Sequence, residues 1–138
     1  MSAAPGVVLA VDVGTVRVGV AASDPHRILA SPVETVQAPG HRRVVALVAE
    51  RDAVLVVVGL PTSMSGQSHS ASADMARDWA AVLTPMVAPV EVRLVDERLT
   101  TVTATAALRA SGRSAKQSRA VVDQAAAVAL LQGVLDTR

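Results

Sequence analysis

The stretch Val7-Val8-Leu9-Ala10-Val11-Asp12-Val13-Gly14-Thr15-Val16-Arg17-Val18-Gly19-Val20-Ala21 decides the fold. Its first five residues are apolar and rich in β-branched side chains, the composition of a buried strand. Gly14-Thr15 then turns the chain. Beyond the turn, Val16, Val18 and Val20 alternate with Arg17, Gly19 and Ala21, which is the two-residue period of a second strand. Two strands joined by so short a turn predict an antiparallel hairpin. One acid, Asp12, sits where the first strand ends.

Working outward, a third strand is expected between Ile28 and Val36, broken by Pro32. Val44, Val45, Leu47 and Val48 have helical spacing, so a helix is predicted over 41–52. Val54-Leu55-Val56-Val57-Val58 is an unbroken apolar run, as in a strand covered on both faces. Gly59-Leu60-Pro61 is read as its end. A Ser/Gly loop follows, then a helix from about Ser70 to Leu83, with Pro85 and Pro89 in the next turn. Val90–Val95 supplies a fifth strand. Thr100 opens a helix to about Arg109, stopped by Ser111-Gly112. The last helix is expected from Lys116 or Ser118 to Leu135. The order β-β-β-α-β-α-β-α-α predicts an α/β fold. Its mixed five-stranded sheet would have the first three strands antiparallel, helices on both faces and right-handed crossovers. With no repeat and no linker, residues 1–138 read as one domain.

Cysteine is absent, so thiolate chemistry, disulfides and zinc–sulfur sites are excluded. His26, His41 and His69 show no metal-binding spacing. Neither a G-x-S-x-G elbow nor a G-x-x-x-x-G-K-[ST] phosphate loop occurs. The N-terminus has no signal-peptide pattern, and no apolar run is long enough to span a bilayer. The expectation is a cytoplasmic protein with no membrane partner. Trp79 stands alone among Phe, Tyr and Trp. Nucleic acid would therefore be gripped through charge and backbone rather than an array of stacking rings.

Net charge is +1, but between Arg98 and Val122 lie Arg98, Arg109, Arg113, Lys116 and Arg119 with no acid among them. Asp96 and Glu97 precede that window and Asp123 follows it. A basic segment bracketed by carboxylates suits a polyanion meeting a cation site. Asp12 and Glu97 stand at predicted strand ends, where α/β folds gather ligands. Asp123 lies in an apolar helix, where an acid needs a partner, a metal or solvent. Each has a structural explanation as well: turn former, helix cap or solvent-facing helix residue. Together they offer the hard oxygen donors that Mg²⁺ or Mn²⁺ takes.

Four ordered segments resemble the YqgF family, described both as Holliday junction resolvases and as pre-16S rRNA nucleases. They are Leu9–Ala21, Val58-Gly59-Leu60-Pro61 through Met64-Ser65-Gly66, Asp96-Glu97-Arg98-Leu99-Thr100-Thr101, and Val122-Asp123-Gln124-Ala125-Ala126-Ala127 through Leu131-Gln132. Ser65 departs from the family's Met-Asp-Gly loop, so no acid is expected to act there. The resemblance implies an RNase H-like fold and phosphodiester hydrolysis of the two-metal type. It makes Asp12, Glu97 and Asp123 the catalytic and metal-binding triad, with Asp12 as the bridge. Arg17, Arg98, Lys116 and Arg119 are candidates for gripping substrate phosphates.

The partner expected is nucleic acid. RNA is favoured, in maturation of the pre-16S rRNA 5′ end; branched DNA is the alternative and would call for a homodimer. Two further classes compete. An actin-like or sugar-kinase phosphotransferase can also read D-x-G-T after a strand, but clamps nucleotide between two domains. A ribosome-assembly or transcription-associated binding module could keep the fold without activity.

Overall fold

The computed structural model describes residues 4–61, 71–96 and 115–136, with side chains of the last stretch from Gln124 onward. The elements are β1 (Val7–Val13), β2 (Arg17–Ser23), β3 (Ala30–Gln37), α1 (His41–Glu50), β4 (Ala53–Leu60), α2 (Ala71–Val87), β5 (Glu91–Asp96) and α3 (Ala115–Asp136). The five strands form one sheet in the order β3-β2-β1-β4-β5. β1–β2 and β2–β3 are antiparallel, whereas β1–β4 and β4–β5 are parallel. This is the mixed sheet predicted. The helix expected over Thr100–Arg109 lies outside the described residues.

The β1–β2 turn is built on close backbone approach. Gly14 N–H donates to the Arg17 carbonyl at 2.9 Å. A Cβ on Gly14 would sit 2.5 Å from that same oxygen. Because the obstacle is backbone, Gly14→Ala should destabilise the chain by about 1–3 kcal/mol. Urea unfolding measures it, and an unchanged midpoint would remove this reading of the turn.

Two prolines behave differently from expectation. Pro32 does not interrupt the third strand; β3 runs through it, with a register shift opposite Val20/Ala21. β3 is an edge strand, where a missing N–H need not break a ladder. Pro85 does not follow the second helix but lies inside its last turn. There the ring forfeits the bond to the Ala81 carbonyl, a cost that the burial of Leu83 and Val87 on either side offsets. β4 likewise continues past Gly59 to Leu60.

Strand alternation builds two cores. Leu9, Val11, Val20, Val56 and Val58 pack beneath α1 and α2 against Val44, Leu47, Trp79 and Leu83. Val8, Ala10, Ala21 and Val57 pack on the opposite face beneath α3, against Ala127, Leu130, Leu131 and Leu135. Helices thus cover both faces, as the apolar run in β4 requires. Among the described residues, no helix is long and apolar enough to cross a membrane.

Gln132 pins α3 to the start of β3. Its Oε1 accepts from Ala30 N–H at 2.9 Å and its Nε2 donates to the Ile28 carbonyl at 3.1 Å. Ala30 is itself buried. Gln132→Ala strands that amide and should cost about 1–3 kcal/mol. Chemical denaturation reads the loss; a change below about 0.5 kcal/mol, the scatter of ordinary surface substitutions, would count against the anchor.

Candidate functional site

Asp12 is the penultimate residue of β1 and is half-buried. It alternates with Val11 and Val13, so its side chain leaves the sheet on the α3 face, with Val8 and Ala10. Its partner on β2 is Gly19. On the other side, the register that pairs Val11 with Val58 sets Gly59 alongside it. The same row continues to Thr35, paired with Gly19, and to Val95, paired with Gly59. One carboxylate therefore stands between two positions that carry no side chain, with neighbouring strands about 4.8 Å away on each side. This makes a glycine-flanked row at the carboxyl ends of β1 and β4.

Reading residues singly misses these two glycines. Their signal is present in Val18-Gly19-Val20 and Val58-Gly59-Leu60, since a glycine inside an apolar strand weakens it and marks a close approach. Gly59 next to Pro61 reads instead as a terminator.

The last helix crosses the sheet at this same row. Gln124 Nε2 donates to Thr35 Oγ1 at 3.0 Å. Position 123 precedes Gln124 and lies one helical turn before Ala127, which is fully buried against this face. The backbone of Asp123 thus adjoins the contact that α3 makes at the Thr35 end of this row. Its side chain lies outside the described set, as do those of Lys116 and Arg119, which belong to α3 by backbone.

β5 ends at Asp96, paired with Leu60. Val95 packs on the α3 side, so Asp96 alternates to the opposite face from Asp12. Of the adjacent acids Asp96-Glu97, Asp96 is therefore not part of the row. Glu97 and Arg98 lie outside the described residues. Arg17 shares the parity of Gly19 and leaves β2 on the Asp12 face. Among the described residues, no three His, Asp or Glu side chains form a metal-binding group.

The model of the RuvX Holliday junction resolvase family matches residues 6–137. This chain belongs to the RuvX family. Candidate pre-16S rRNA nucleases are among its relatives. One from Rhodococcus opacus (strain B4) is 53% identical over 138 residues, covering 94% of this chain and 77% of the relative. One from Streptomyces coelicolor is 54% identical over 135 residues, covering 94% and 79%. One from Mycobacterium leprae (strain TN) is 56% identical over 132 residues, covering 93% and 71%. Among solved structures, T. thermophilus RuvC in complex with Holliday junction substrate superposes with a TM-score of 0.59 at 18% identity, covering 96% of this chain and 95% of that one. At that identity the likeness establishes a common RNase H-like fold and nothing finer.

Proposed function

We propose that this RuvX-family nuclease hydrolyses phosphodiester bonds in precursor 16S rRNA, with Asp12, Glu97 and Asp123 as its acidic triad. The observation that carries the reading is the glycine-flanked row. Asp12 stands between Gly19 and Gly59, and α3 meets the same row at Thr35 through Gln124, the neighbour of residue 123. The names of relatives more than half identical to this chain favour RNA as substrate.

Divalent cations fit the donors present. Carboxylate oxygens are the hard ligands that Mg²⁺ and Mn²⁺ take, with water and phosphate as further ligands, and the residues on both sides of Asp12 are glycines. Asp12, Glu97 and Asp123 would hold the ions. Bound there, the metal supplies a water of lowered pKa and neutralises charge on the leaving oxygen. The chain's own residues do the positioning. Gly19 and Gly59 place no side chain of their own between a phosphodiester and the sheet. Arg17, on the same face, is placed to meet a non-bridging phosphate oxygen. The Gln124–Thr35 bond holds α3 in register over the row. Arg98, Lys116 and Arg119 would extend the grip along the strand.

The family description favours a second reading, cleavage of a four-way DNA junction, which would require a homodimer. Side-by-side cleavage of a 5′-extended 16S rRNA precursor and a four-way junction, with Mg²⁺ or Mn²⁺, separates the two. The expected result is cleavage of the precursor, abolished by EDTA, with the junction intact. Preferential junction cutting would overturn the substrate assignment. Cleavage of neither would point to a binding module.

A further inference from the structure

A recess lies around the β1–β2 turn from Asp12, on the α1/α2 side. Its near part, about 280 Å³, is lined by Val13, Gly14, Thr15, Pro39, Met75 and Trp79. A larger part, about 530 Å³, shares Met75 and Trp79 and adds His41, Asp74, Asp78 and Val82. The two adjoin along Met75 and Trp79, and together they make a groove. Gly14 is two residues from Asp12, about 7 Å along a strand. The nearer recess thus opens at the same end of the sheet as Asp12.

The floor of the groove is an aromatic pair. The His41 and Trp79 rings stack with centroids 4.4 Å apart and planes 21° from parallel. His41 is tied to the Trp79 carbonyl through Nε2 at 3.1 Å, and Trp79 Nε1 donates to the Pro39 carbonyl at 2.6 Å. Trp79 is 5% exposed, so it supports His41 and offers no open face of its own. Composition counts one aromatic residue and predicts no stacking platform; a histidine braced on a buried tryptophan supplies one.

The polar groups beside this platform are acids. Asp74 pairs with Arg77 at 3.0 Å, while Asp78 has no ion-pair partner among the described residues. Carboxylates repel phosphate but accept from N–H donors. We infer that the groove is a nucleobase subsite beside the cleavage site. In it a splayed-out base stacks on His41 and presents amino and imino N–H groups to Asp78, a pattern that guanine matches best. The inference rests on the nuclease reading for its placement, but its test does not depend on cleavage.

Trp79 is the sole tryptophan, and Phe and Tyr are absent, so intrinsic fluorescence reports this groove alone. Titration with guanosine, inosine, uridine and ribose 5-phosphate, corrected for absorbance, is the experiment. Guanosine should give a saturable change in the millimolar range. Inosine, which lacks the 2-amino group, should bind more weakly, and ribose 5-phosphate should give none. His41→Ala should weaken guanosine roughly five- to a hundredfold, the range of lost base stacking. Asp78→Ala, an exposed helix substitution that should not disturb folding, should remove the preference for guanosine over inosine. The inference fails if no nucleoside perturbs Trp79, or if a Lys/Arg-rich peptide does so while nucleosides do not. Such failure with precursor cleavage intact leaves the nuclease reading standing. Guanosine binding by a protein that cleaves nothing would refute that reading alone.

Discussion

Leu131→Ala should destabilise the chain by about 3–5 kcal/mol, the upper part of the range for buried leucines. Leu131 is fully buried, and with Leu130 and Leu135 it makes the contact of α3 with the sheet. The facing residues on β1 and β2 are Val8, Ala10 and Ala21. Small side chains there leave few atoms able to move into the void, so the cavity term is large. Total stability of an ordinary domain is only about 5–15 kcal/mol, so this one change removes a large fraction of it. Urea denaturation followed by circular dichroism gives the number. The same helix carries position 123. Cleavage should therefore fail at a lower temperature in the variant, even where the wild type is unaffected. A loss under about 1 kcal/mol would mean that α3 is not held by this core.

Asp12→Asn has the largest expected effect on activity. Asparagine matches aspartate in size, and Asp12 is only half-buried, between two glycines. The fold should survive, with an unchanged circular dichroism spectrum. What is lost is a negative charge where cations would gather. Metal-assisted stabilisation is worth several kcal/mol, and each 1.36 kcal/mol is tenfold in rate, so a loss of about 10³-fold or more is expected. Glu97→Gln and Asp123→Asn should fall comparably, since residues acting as a unit give non-additive losses.

The hairpin was legible because two signals agree in Leu9–Ala21: alternation with period two and a glycine at the turn. The central strand was legible because Val54–Val58 is apolar on both parities, which only a doubly covered strand tolerates. The prolines were not. Pro32 and Pro85 read as interruptions, and nothing local says that Pro32 lies on a sheet edge or Pro85 in a final helical turn. Asp12 stood out as an acid at a strand end. Its glycine neighbours did not, because Gly19 and Gly59 are far apart in sequence and meet Asp12 only through strand register. A chain so rich in valine leaves register nearly unmarked. Within Asp96-Glu97, alternation sends Asp96 to the opposite face from Asp12, while Glu97 lies outside the described residues. The His41–Trp79 stack joins residues 38 apart in the chain, and no short-range pattern reports it.

The central claim is that the carboxylate of Asp12, in its glycine-flanked row, is the chemical centre of a nuclease. Single-turnover cleavage of a 5′-extended 16S rRNA precursor by wild type and Asp12→Asn, in Mn²⁺ and at equal folded concentration, tests it most directly. The account predicts cleavage by the wild type and a rate at least ~10³-fold lower for the variant, as loss of a metal-binding carboxylate requires. Equal rates for the two proteins would contradict it.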